Sequence, residues 1–147
     1  MAVSYTEELN LDLSYGKDRE KALKQTLEEF FGMTLDETPP TCSWDFENHT
    51  SGVRVELKSR RFDSRRYTDT YITKRKLLKS LEYEGTTYFV FEFTDGCLMT
   101  IDAKECLSCK VVKVKTHLGE KRNNLLVPMN AMLPIKTAEP IRCLIVL

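Results

Sequence analysis

The chain has 147 residues, a length that supports one core of ordinary size and argues against two full domains. Apolar residues make up 41% and charged residues 30%, a globular rather than a disordered balance, and no apolar run approaches the roughly 20 residues of a membrane helix. The 22 basic and 22 acidic residues leave a formal net charge of zero, which taken globally argues against a protein coated for nucleic acid.

The cancellation hides a segregation. Residues 1–50 carry 4 Lys/Arg against 11 Asp/Glu, a net of −7, residues 54–79 carry 10 against 3, a net of +7, and residues 80–147 carry 8 of each. In the basic stretch Arg54, Lys58, Arg60, Arg61, Arg65, Arg66, Lys74, Arg75, Lys76 and Lys79 are interleaved with Phe62, Tyr67 and Tyr71, the mixture that phosphate backbones and unstacked bases favour. The competing expectation is a solvated face neutralised by the acidic first third. The opening residues, Met1-Ala-Val-Ser-Tyr-Thr-Glu-Glu, have neither the basic nor the apolar region of a signal peptide, so an intracellular protein is expected. Cys42, Cys97, Cys106, Cys109 and Cys143 are odd in number and not spaced as a disulfide framework, so reduced thiols are expected. The sequon Asn48-His49-Thr50 is then of no consequence.

In chain order, residues about 16–32 place Leu23, Leu27, Phe30 and Phe31 at helical spacing, with Asp18 near the start and Gly32 at the stop, an amphipathic helix. Pro39-Pro40 breaks the chain. From Thr41 to Glu47 an alternating pattern puts Cys42, Trp44 and Phe46 on one side of a predicted strand. Asn48 to Gly52 is turn chemistry, and Val53, Val55 and Leu57 then alternate with Arg54, Glu56 and Lys58, completing a hairpin. Residues about 71–83 read as a second helix with Leu77, Leu78 and Leu81 as its apolar stripe. Thr86–Phe93 is β-branched and aromatic almost throughout, as in a central strand covered on both faces. Further strands are expected at Cys97–Asp102, Lys110–Thr116, Asn124–Val127 and Ile141–Leu147.

The hairpin carries the chemistry. With Trp44 opposite Leu57 and Phe46 opposite Val55 the apolar faces coincide, and Asp45 lies across from Glu56. Cross-strand partners have Cβ atoms about 5 Å apart, where like charges destabilise. A hard divalent cation between the two carboxylates, with Lys58 two residues along, removes the objection. Mg²⁺ is the expected ion and Mn²⁺ its substitute; such an ion polarises a phosphoryl group and acidifies a bound water. The alternative is an ordinary exposed strand face in which Lys58 satisfies Glu56 and Asp45 points into water.

Asp45, ten intervening residues and then Glu56-Leu57-Lys58 resembles the PD-(D/E)xK nuclease signature of restriction enzymes, archaeal Holliday-junction resolvases and phage exonucleases, although no Pro precedes Asp45. The order helix, hairpin, helix, buried strand over residues 16–94 is similar too. The resemblance implies an α/β, restriction-endonuclease-like single domain, a mixed sheet flanked by helices in α-β-β-α-β order, followed by a C-terminal β extension at about 95–147. It implies Mg²⁺-dependent hydrolysis of DNA, endonucleolytic rather than exonucleolytic, with Asp45 and Glu56 as metal ligands and Lys58 positioning the attacking water. Tyr15-Gly-Lys-Asp-Arg-Glu20 resembles the opening of the resolvase helix and makes Glu20 the candidate outer ligand, ahead of Glu28 and Glu29. Arg60, Arg61, Arg65, Arg66, Lys74, Arg75 and Lys76 would contact phosphates. Branched or nicked DNA, or RNA, are possible substrates, a homodimer or partner would supply any base reading, and a virus or phage is the kind of host such a small nuclease suggests. The alternatives are a nucleic-acid-binding module without turnover and a protein-interaction or assembly subunit of the same fold. Cys106-Leu-Ser-Cys109 is a single Cys-x-x-Cys for which only His117 and Cys97 offer a second pair, and idle thiols are expected.

Overall fold

The computed structural model describes residues 21–115 and 118–135. Residues 21–31 are helical (α1). Gly32 follows at φ 68°, where the backbone N–H groups of Gly32 and Met33 both bond the Glu28 carbonyl, the left-handed stop that glycine permits. Leu23 and Leu27 are buried, whereas Phe30 is exposed, so the apolar stripe is narrower than the spacing suggested. Then come β1 (Asp36–Glu37), β2 (Phe46–Asn48), β3 (Val53–Ser59), β4 (Asp69–Thr73), α2 (Lys74–Leu81), β5 (Thr86–Glu92), β6 (Leu98–Asp102), a 3₁₀ turn (Ala103–Ser108), β7 (Lys110–Lys115), β8 (Lys121–Pro128) and β9 (Leu133–Pro134). The Ile141–Leu147 expectation lies outside the described residues. None of the described helices is long and apolar enough to cross a membrane.

The main sheet runs β1-β2-β3-β5-β6-β9 and the second β4-β8-β7. The β3–β5 pair is parallel and every other pair antiparallel, so the main sheet is mixed and the protein α/β. A parallel partner needs a crossover, here supplied by β4 and α2. The Thr86–Phe93 expectation is met by β5, which lies inside the sheet. Phe89 and Phe91 pack with Leu77 of α2 and with Ile72, Leu125 and Val127 of the second sheet, while Val90 packs on the other face with Leu23 and Leu27 of α1, Phe46 and Val55. The described part of the C-terminal segment adds β6 and β9 to the main sheet and pairs β7–β8 with β4.

Two expected elements are corrected. Residues 71–73 belong to β4, because Tyr71–Thr73 pair with Asn124–Leu126 of β8. The helix begins only after Thr73, whose side chain accepts from the Lys76 N–H. Leu77 is buried in α2 but Leu78 is 48% exposed. The strand expected at Thr41–Glu47 is reduced to Phe46–Asn48. After Pro39-Pro40 the Cys42 N–H turns back to the Pro39 carbonyl, and the chain reaches the sheet only at Phe46.

The tip of the β2–β3 hairpin is held against the start of β5. Gly52 has φ 71° and Gly85 φ 98°, and Thr86 N–H donates to the Gly52 carbonyl at 3.1 Å.

Candidate active site

Phe46 stands opposite Val55 as expected, but the ladder does not continue to Trp44. Asp45 N–H donates to the Val55 carbonyl at 2.9 Å, so two consecutive residues answer to Val55, as in a β-bulge. The displaced Asp45 side chain takes over a ladder position: its Oδ2 accepts from the Leu57 N–H at 2.7 Å. Covalent geometry then places that oxygen within about 6 Å of the Glu56 Cα. Of the two expectations for Asp45, neither a straight cross-strand pair with Glu56 nor a carboxylate simply in water describes it.

Glu56 pairs in register with Phe89 and Lys58 with Phe91, so both side chains lie on the α2 face of the sheet, opposite to Val55. The Glu56 side chain is only 6% exposed, and its Oε1 meets two ammonium groups, Lys58 Nζ and Lys76 Nζ, each at 2.9 Å. The two ammonium groups thus partner a carboxylate that is almost wholly removed from water. Lys76 is one of the seven residues expected on phosphates; in the fold it reaches Glu56 from the first turn of α2. No spacing rule links a helix side chain to a strand twenty residues earlier.

Above Glu56 a small cavity of about 10 Å³ is lined by Trp44, Lys76, Lys79, Ser80, Tyr83 and Thr87, among others. Its wall is braced by Arg54, which lies on the same strand face. The Arg54 guanidinium sits 5.0 Å from the Trp44 ring and 4.9 Å from the Tyr83 ring, the rings are 4.7 Å apart, and Nη2 donates to the Glu84 carbonyl. Arg54 therefore ties the segment before β2 to the end of α2 through cation–π and hydrogen-bond contacts. Trp44 Nε1–H also donates to Glu47 at 2.9 Å.

Glu20 lies outside the described residues. Glu28 caps the Leu35 N–H at 2.9 Å, and Glu29 accepts from Gln25 at 3.5 Å. Among the described residues no group of three or more His, Cys, Asp or Glu is placed to hold a metal.

The basic stretch is divided by its contacts. Arg60 donates to the Thr70 hydroxyl and the Tyr71 carbonyl and stacks between Tyr71 and Phe91. Burial lowers its pKa from the ordinary arginine value, partly offset by Tyr71. It braces β4 against the main sheet. Arg65 pairs with Asp63 at 3.4 Å, whose carboxyl is held below its usual range first by the Arg65 backbone N–H. Arg66 packs on Tyr67. Arg61, Lys74 and Arg75 are exposed.

Cys42, Cys106 and Cys109 are free thiols as expected, whereas Cys97 is disulfide-bonded, a correction to the expectation of reduced thiols throughout. Burial, with smaller contributions from Cys109, Glu105 and Asp102, pushes the Cys106 thiol from 9.0 up to about 12, and burial also raises Cys109. A thiol that holds its proton so firmly is a poor ligand and nucleophile. The unfolded chain releases this proton near pH 9 and the folded protein does not. The stability gained is therefore complete below pH 9 and lost as pH rises towards 12. Denaturant titrations from about pH 8 to about pH 11 are expected to show the decline, reduced in Cys106→Ala.

Comparison with protein-family models and with curated proteins finds no match in either.

Proposed function

We propose that the protein is a divalent-metal-dependent nuclease acting on DNA, with a restriction-endonuclease-like core. The observation that carries the reading is the anchoring of the Asp45 carboxylate on the Leu57 N–H, the backbone group between Glu56 and Lys58 in the chain, which keeps the first acid of the hairpin next to the segment that carries the other two polar groups. The order α1, hairpin, α2, buried β5 supports it, being the order the resemblance implies.

The donor set suits a hard cation. Asp45 and Glu56 offer only oxygen, and two carboxylates completed by water and phosphate oxygens are what Mg²⁺ accepts. When bound, the ion supplies Lewis acidity toward the scissile phosphate and lowers the pKa of a water. Asp45 contributes a pre-oriented carboxylate, since one of its oxygens is fixed by the backbone. Both ammonium groups meet Oε1 of Glu56, so an ion binding at that oxygen would displace a lysine. Lys58 and Lys76 are 30% and 29% exposed, and their stems are long enough to swing toward a phosphate while the cation takes over charge neutralisation.

The same double pairing favours a second reading, a nucleic-acid-binding module without turnover in which the lysines neutralise Glu56 permanently. Supercoiled, linear and branched DNA incubated with Mg²⁺ or Mn²⁺ separates the two, since nicking supports the nuclease and binding without nicking under either metal supports the module. Trp44, the single tryptophan, lines the cavity above Glu56. Its emission is expected to fall on Mn²⁺ titration in the intact protein and to stay constant in Asp45→Ala and Glu56→Ala. Constant emission in the intact protein together with no nicking overturns the nuclease reading.

A further inference from the structure

The β7–β8 hairpin holds a pairing that folding alone does not favour. Lys115 is the direct partner of Lys121, and Lys113 of Asn123. Strand alternation puts Lys113, Lys115 and Lys121 on one face, all exposed. Like charges directly opposite destabilise a sheet. Among the described residues the ion pair at this hairpin joins Arg122 to Glu120 at 3.6 Å and involves none of the three lysines.

Asn123, on that same face, lines an open groove of about 840 Å³ between the hairpin and α2, together with Lys74, Arg75, Lys79 and Arg122, and with Glu82 and Glu120 as its acids. α2 repeats the anomaly: its first turn is Lys-Arg-Lys with no acidic residue, where the helix dipole favours negative charge. Lys79 lines both this groove and the small cavity above Glu56, so the groove adjoins the candidate active site.

We propose that the groove between α2 and the β7–β8 hairpin is a nucleic-acid-binding track, in which Lys113, Lys115 and Lys121 join Lys74, Arg75, Lys79 and Arg122 on the phosphodiester backbone. A polyanion removes the Lys115–Lys121 repulsion and occupies the electropositive first turn of α2. The hairpin cations come from residues 110–122, well outside the basic stretch at 54–79. Meanwhile Arg60 and Lys76 of that stretch are engaged within the fold. The assignment of nucleic acid rather than another polyanion rests on the nuclease reading.

The test measures binding of a fluorescently labelled DNA duplex by anisotropy in EDTA between about 50 and 200 mM salt, so that neither metal nor turnover enters. The triple variant Lys113→Gln, Lys115→Gln, Lys121→Gln is expected to weaken binding about tenfold or more. It is also expected to flatten the slope of log affinity against log salt by about 2 to 3, at roughly 0.9 for each phosphate no longer neutralised. Lys21→Gln with Lys24→Gln on α1, across the main sheet, is expected to leave both unchanged. Thermal melting of the triple variant at or above the parent temperature shows that the fold survives. Equal loss in the α1 control, an unchanged slope in the triple variant, or equal competition by polyglutamate overturns the proposal. Groove-dependent binding without cleavage under either metal overturns the nuclease reading and leaves the track standing; cleavage with no groove dependence does the reverse.

Discussion

Replacing Glu56 by Gln, or Asp45 by Asn, is expected to remove metal-dependent cleavage of DNA while the fold persists. Both substitutions keep side-chain volume. The Asp45→Asn amide oxygen can still accept from the Leu57 N–H that now bonds Oδ2 at 2.7 Å, and the amide oxygen in Glu56→Gln can still accept from Lys58 or Lys76. What each loses is the negative charge that attracts a hard cation. Loss of an outer-shell partner alone costs 10- to roughly 100-fold in metal affinity or activity, so loss of a direct ligand is expected to exceed that. The check is a nicking assay at several Mn²⁺ concentrations beside a denaturation curve. Retained cleavage in either variant removes that residue from the metal site. Lost cleavage with unchanged unfolding is the expected pair of results.

The second large effect concerns stability. Gly85→Ala places a Cβ 2.1 Å from the Gly52 carbonyl oxygen and 3.0 Å from its carbon, at a backbone φ of 98° that an L side chain rarely adopts. Both neighbours are backbone at the hairpin tip, so relief requires parting Gly52 from the start of β5 and stretching the bond from Thr86 N–H. The expected loss is about 3 kcal/mol or more, strain and displaced backbone together. Gly96→Ala is the control. Its φ is 83° and nothing lies within 4 Å of the added carbon, so the loss is expected to stay near the roughly 1–2 kcal/mol of a left-handed residue. Urea unfolding of both variants measures the difference; equal losses mean that the close approach of Gly52 to Gly85 contributes nothing.

The two predictions meet at the parallel pair of β3 and β5. Gly52 precedes β3 and helps to set its position beside β5, which in turn brings Glu56 beside Phe89 and under α2. A shift at the tip would move the carboxylate relative to Lys76, so Gly85→Ala is also expected to reduce cleavage, through position rather than chemistry.

Local patterns in the sequence were sufficient for the elements whose signal repeats with a short period. The 3.6-residue spacing of Leu23 and Leu27, the period-two alternation of Val53–Lys58, the turn chemistry of Asn48–Gly52 and the unbroken apolar run of β5 each repeat over a few residues and identify an element, although the polar side of β3, Arg54 and Glu56, is buried. They also placed Phe46 opposite Val55. Burial depends on contacts between distant segments, and there the same patterns were incomplete. Tyr71–Thr73 read as helix but became strand because β8, some fifty residues later, offers ladder partners. Trp44 fits an alternating strand, yet packs against Tyr83 and Arg54 instead of continuing the ladder. Asp45 and Glu56 were recognisable as a pair of acids on one hairpin. That Lys76 joins Lys58 on Glu56, and that Arg122 and Asn123 share a groove with Lys74, Arg75 and Lys79 of α2, was decided only by how a helix and a second sheet pack onto the main one. Side-chain periodicity is a property of a few neighbouring residues, whereas the meeting of charges from four separate elements depends on the geometry of the whole chain.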